Sequence, residues 1–131
     1  MEIFSADWAA RCRALVDASQ AYRAASSTWE GDLVFRVTDG PAPAAYFDLW
    51  HGDCRDVRPA TADDLAGARY LFEGTAGSWR QVLEGKLIPL LALMTGRLKL
   101  SRGRIPDLVP HAESAKELLL IMSQIEASYP E

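Results

Sequence analysis

A chain of 131 residues with 49% apolar and 24% charged residues has the size and composition of one globular domain with a single core, and is too apolar for a disordered segment. Its net charge of −4 is unevenly spread, because residues 80–104 carry Arg80, Lys86, Arg97, Lys99, Arg102 and Arg104 against the single acid Glu84. An acidic chain with one short basic stretch is a poor partner for nucleic acid, which needs accumulated Lys and Arg; the stretch suits a solvated face or transient contact with anionic lipid headgroups.

The first predicted element is a helix from about Ser5 to Ala25, capped by Ser5, with Trp8, Cys12, Leu15, Ser19 and Tyr22 at i, i+4, i+7, i+11 and i+14 forming one inward stripe. Leu33, Phe35 and Val37 then alternate with Val34, Arg36 and Thr38, the pattern of a half-buried strand. Ala44–Trp50 is a second strand, with Ala45, Phe47 and Leu49 on one face and Tyr46, Asp48 and Trp50 on the other. His51-Gly52-Asp53 makes a tight turn into a third strand, Cys54–Arg58. Thr61 caps a helix whose early acids, Asp63 and Asp64, suit the positive end of its dipole, and Tyr70–Glu73 is a fourth strand. Ser78 is expected to cap a short helix bearing Trp79, Val82 and Leu83, which Gly85 ends. Pro89 opens another helix, stopped by Gly96, and Arg97-Leu98-Lys99-Leu100 alternates as a fifth strand. A last helix runs from about His111 to Ala127 on a stripe of Ala115, Leu118, Leu119, Met122 and Ile125. This order does not alternate βα, so the fold class is α+β: one domain over residues 1–131, a mostly antiparallel sheet covered by helices.

The segment Leu87-Ile88-Pro89-Leu90-Leu91-Ala92-Leu93-Met94 is apolar on every side of a helix, and such a helix needs cover all round. A domain this small has little protein to supply that cover. A bound apolar ligand, a second subunit, a membrane or simply the core remain open as what surrounds it.

Gly77-Ser78-Trp79-Arg80-Gln81-Val82-Leu83-Glu84-Gly85-Lys86-Leu87-Ile88-Pro89, followed by Leu93-Met94-Thr95-Gly96-Arg97-Leu98-Lys99-Leu100, resembles the signature of the sterol carrier protein 2 family. Those domains carry a short helix ending in Gly-Lys-Leu, a second short apolar helix, and Gly-Lys-Leu-Lys before an apolar residue at the last strand; here Arg97 stands for the first Lys. The order of the flanking elements fits over most of the chain. The resemblance implies a five-stranded sheet backed by helices with an apolar tunnel between, binding of fatty acid, acyl-CoA, phospholipid or sterol without catalysis, and no cofactor; a prenyl lipid is a further candidate for such a tunnel. It carries tunnel-lining roles onto Trp79, Leu83, Leu87, Leu90, Leu91 and Met94. Phe35, Phe47 and Trp50 from the strands, with Leu118 and Met122 from the last helix, are added from alternation and stripe. Where the family often has Gly-Asp after the last motif, this chain has Ser101-Arg102-Gly103-Arg104, which places an anionic headgroup near Arg102 or Arg104 as an expectation from charge.

Other constellations lead elsewhere less readily. His51-Gly52-Asp53-Cys54-Arg55-Asp56 gathers a base, carboxylates and a thiol, but an odd separation on a strand sends His51 and Cys54 to opposite faces, so neither a metal site nor a nucleophile pair is expected. Cys12 and Cys54 form no CxxC pair, His111 reads as surface, and no phosphate loop or nucleophile elbow is present. The longest apolar run has eight residues against roughly 20 for a membrane span, no signal peptide or Ser-Lys-Leu address is evident, and the expected location is the cytoplasm. The alternative function is an accessory domain whose apolar helix docks on an enzyme handling hydrophobic substrates or on a second copy in a homodimer.

Overall fold

The computed structural model describes residues 1–130. Two helices open the chain, α1 (Ala6–Ala18) and α2 (Gln20–Ala25), where periodicity predicts one. Ser19 divides them. Its backbone is extended (φ −90°, ψ 108°) and its hydroxyl accepts from the Tyr22 amide at 3.0 Å, so a single residue ends α1 and caps α2. The stripe still points inward, with Trp8, Cys12 and Tyr22 buried and Val16 beside them.

Strands β1 (Glu30–Val37), β2 (Ala44–Trp50) and β3 (Asp53–Pro59) form an antiparallel meander. His51 and Gly52, both at positive φ (49° and 88°), make the two-residue turn between β2 and β3 whose twist suits antiparallel strands. From the outer edge β3 the chain crosses the sheet through α3 (Ala62–Gly67) and enters β4 (Tyr70–Gly74), which lies parallel to β1. Helices α4 (Ala76–Leu83) and α5 (Pro89–Met94) lead to β5 (Leu98–Arg102), antiparallel to β4, giving the order β3-β2-β1-β4-β5. Then come α6 (Ile105–Leu108), a 3-10 turn over Val109–His111, and α7 (Ala112–Met122). Pro106 and Pro110 divide the approach to α7 into short turns, and α7 itself ends at Met122, short of the expected Ala127, where the Gln124 and Ile125 amides turn to carbonyls three residues back, Ile121 at 3.0 Å and Met122 at 3.1 Å. The cap of α4 also moves: Thr75, not Ser78, is the N-cap, its hydroxyl accepting from the Ser78 amide at 3.2 Å.

The sheet has two unlike faces. On the inner one, Leu33, Phe35, Val37, Ala45, Phe47, Leu49 and Val57 are buried against α1, α4 and α7. The Phe35 ring lies 5.0 Å from Phe47, 4.8 Å from Trp79 and 5.3 Å from Phe72. Phe4 fills the centre of the cluster, 5.1 Å from Trp8 and 5.6 Å from Trp79, although it precedes the first helix. The Ile3 amide donates to the Ser128 carbonyl at 2.9 Å, so the C-terminal tail holds this segment in place. The outer face is polar and is crossed by α3. Arg58 reaches Asp64 at 2.7 Å, and Arg102 donates to the Leu65 and Ala68 carbonyls, both at 2.7 Å, so the two edge strands grip that helix from either side.

Candidate functional site

Helix α5 is a helix because Pro89 supplies a preset φ at its first turn, and it is short because glycines bound it. Gly85 and Gly96, both at φ +78°, take the left-handed turns expected of them. Within α5 the residues divide by face. Ala92 is fully buried and Leu93 packs half-buried on the core, while Leu90 and Leu91 are 48% and 47% exposed and Met94 is 71% exposed. Ile88, just before the helix, is 68% exposed. The chain's own core therefore does not supply cover all round. Helix α5 rests on α4 and β5 along one side only, and six residues are too few to sink between layers.

Beneath it the core ends in a seam of half-buried side chains: Phe72, Leu87, Leu93 and Leu100. Phe72 and Leu100 are partners across the β4–β5 pair. The side chains expected to line a tunnel fall into three groups. Phe35, Phe47, Trp79, Leu83, Leu118 and Met122 are brought together in the closed core, Leu87 lies at its margin, and Leu90, Leu91 and Met94 turn outward. Trp50 is separated from all of these. It shares a strand with Phe47 at odd spacing, faces the other side of the sheet at 40% exposure, and packs under the Arg55 guanidinium at 5.1 Å. Phe72, Leu93 and Leu100 were not singled out from the sequence. The alternation at Leu98-Lys99-Leu100 was the available signal for Leu100.

Two open clefts of about 280 and 350 Å³ lie on the surface. One lies between Ala76, Arg80 and the tail at Tyr129, the other between Glu30, Arg69, Asp107 and His111. Neither lies between sheet and helices, where the tunnel is expected and where Phe35, Phe47, Trp79, Leu83, Leu118 and Met122 are buried.

The rim of α5 is basic. Glu84 is shared by Arg80 at 3.0 Å and Lys86 at 3.2 Å, and Arg80 followed by Lys86 holds its carboxyl below the usual range. Arg97, beyond the other end of α5, reaches only the neutral Gln81 side chain among the described residues, at 2.8 Å. Arg102 is on the outer face, engaged with α3, and so is not placed for the headgroup role that charge suggested. Elsewhere, burial pushes the Cys12 and Cys54 thiols up to about 12, far from a nucleophile's range. His51 pairs with Glu30 at 2.7 Å on the surface, and His111 is half-buried, edge-on to Trp29 at 5.0 Å, rather than free on the surface. No three His, Cys, Asp or Glu side chains gather as metal ligands among the described residues.

Against known proteins, residues 12–101 match the SCP-2 sterol transfer family. The chain belongs to that family. A crystal structure of sterol carrier protein 2 superposes with a TM-score of 0.87 at 38% identity, over 95% of this chain and 100% of the other. A solution structure from Thermus thermophilus, described as possibly a sterol carrier protein, gives 0.86 at 38% identity, over 98% of this chain and 92% of that one. The apo form of sterol carrier protein 2 from Yarrowia lipolytica, at 20% identity and a TM-score of 0.59 over 93% and 98% of the two chains, shares the fold. A comparison with curated proteins gave no match. The five-stranded mixed sheet, mostly antiparallel, is thus that of a sterol carrier protein 2 domain, and among the described residues no helix is long and apolar enough to cross a membrane.

Proposed function

We propose that this sterol carrier protein 2 domain is a non-catalytic carrier that takes a flexible lipid chain into the seam beneath α5. The observation that carries the reading is the division of α5 between a face packed on the core and a face of Leu90, Leu91 and Met94 left to water. Its attachment is slender, resting on a buried Ala92 and a half-buried Leu93, so moving it outward breaks few contacts. Trp79, Leu83, Leu118 and Met122 would then floor the site, Phe35 and Phe47 would close its far end, and Leu87 with the displaced α5 would roof it. Trp50 takes no part. Each methylene transferred from water contributes about 0.8 kcal/mol, so ten give on the order of 8 kcal/mol before the cost of association. That driving force is ample for binding and indifferent to the identity of the chain, so the lipid's headgroup and length would set selectivity.

The test is titration with a fluorescent fatty acid in the absence of membranes. Saturable uptake by the wild type, reduced at least about tenfold by Leu100→Trp, which fills the seam, is expected. Absence of saturable uptake would contradict the carrier reading. The same exposed face also supports a second reading, an accessory domain covered by an enzyme subunit. A solved structure titled as the UbiJ-SCP2 ubiquinone synthesis protein shares the fold, with a TM-score of 0.60 at 14% identity over 94% of this chain and 93% of that one, and contributes the fold alone. No uptake, together with a stable complex with another protein, would favour that second reading.

A further inference from the structure

We infer that the outward face of α5 is a docking surface for an anionic lipid bilayer, with Ile88, Leu90, Leu91 and Met94 entering the interface and Lys86 and Arg97 meeting the headgroups. The inference goes beyond the carrier reading, since docking would stand for a chain that holds no lipid. Four large apolar side chains are exposed side by side over residues 88–94, at 47% to 71%. A contiguous apolar patch rimmed by polar groups marks an interaction site, whereas isolated exposed leucines do not. The rim here is mainly basic, with Glu84 its one acid in the stretch from Arg80 to Arg104. From Gly85 to Pro106 the chain has no acid, and Lys86 and Arg97 stand exposed three residues before and three after α5. Glu84 is the nearest acid in sequence and already serves two bases, while Arg97 has no carboxylate partner among the described residues.

Charge and area choose the occupant. A second copy docked through the same face about a two-fold axis would set Lys86 and Arg97 against their own counterparts, which repel. A helix of six residues and its flanks offer little area against the roughly 800 Å² per partner in a standard protein interface. A bilayer surface requires no such area. It accepts apolar side chains at the level of the acyl boundary, and its anionic headgroups attract each nearby Lys or Arg. Because the acids lie on the rest of the molecule, the field favours α5 turned toward the membrane and the acidic remainder turned away.

Co-sedimentation with vesicles tests this, using phosphatidylcholine alone and phosphatidylcholine mixed with phosphatidylglycerol. The wild type should sediment with the anionic vesicles, weakly with the neutral ones, and less as salt is raised. Leu91→Ser/Met94→Ser and, separately, Lys86→Glu/Arg97→Glu should each lower partitioning at least about tenfold with unchanged circular dichroism, since all four positions are exposed. Failure of the wild type to bind anionic vesicles, equal binding to neutral ones, or wild-type binding by either variant would overturn the inference. So would light scattering that shows a stable dimer which Leu91→Ser/Met94→Ser dissociates, because the occupant would then be a second copy. Fatty-acid uptake is measured without vesicles, so failure of the carrier reading and failure of docking remain distinguishable.

Discussion

Asp64 accepts from the Thr61 amide at 2.9 Å and from Arg58 at 2.7 Å, and it completes a reciprocal capping box at the start of α3. Burial alone would raise its pKa, but the Thr61 amide and the Arg58 guanidinium outweigh burial and hold the carboxyl below the ordinary value of 3.8. A carboxyl lowered in the folded state contributes stability that is present above its unfolded pKa and lost as pH falls through the folded one. Glu73 has the same sign, lowered by the Ser101 hydroxyl against burial and then by Arg36. Asp64→Asn is expected to cost about 1–2 kcal/mol at neutral pH and to flatten the loss of melting temperature between about pH 5 and about pH 3. Thermal melts across that range check it; parallel curves for the two proteins would contradict the assignment. At this scale the sequence was partly legible. Alternation correctly separates Phe47 from Trp50, so grouping both in one site ignored the strand's own parity. Phe4 carried no signal, because it precedes the periodic stripe and enters the core from a segment held by the bond of its neighbour Ile3 to Ser128 in the tail.

Among the elements, those bounded by strong local chemistry appear where the residues indicate. The Thr61 cap, the Pro89 start and the glycine stops at Gly85 and Gly96 each act within one turn, and β2 has the bounds that alternation predicts. Boundaries that depend on a competition between two neighbours were not legible. Ser19 lies on the buried stripe and yet ends a helix, because its hydroxyl binds the Tyr22 amide in place of the regular backbone pattern. Thr75 and Ser78 are both good caps in principle. Thr75 wins because the Ala76 amide, the next donor, is met at 2.8 Å by Asp39 across the fold. Thr75→Ala is therefore expected to destabilise the protein by about 1 kcal/mol in urea unfolding, and Ser78→Ala by only a few tenths. The reverse ranking would place the cap at Ser78.

For the whole molecule, the α+β class and the run of elements were legible because each strand alternates and each short helix is punctuated. The parallel pairing of β1 with β4 was not, since it follows from the crossover of α3 over the outer face, fixed by Arg58 and Arg102 from opposite edges of the sheet. Apolar content alone also does not tell a filled core from a lined tunnel. Phe35, Trp79 and Met122 pack together in the closed molecule, and the exposed face of α5 is what distinguishes this domain from one whose core is simply complete. That contrast makes occupancy the deciding property. Native mass spectrometry of the purified protein, followed by organic extraction, measures it directly. The carrier account predicts a fraction of the protein with a few hundred daltons of added mass that solvent releases as a lipid, and uptake of fatty acid by the stripped protein. A bare mass before and after fatty acid is offered would contradict it.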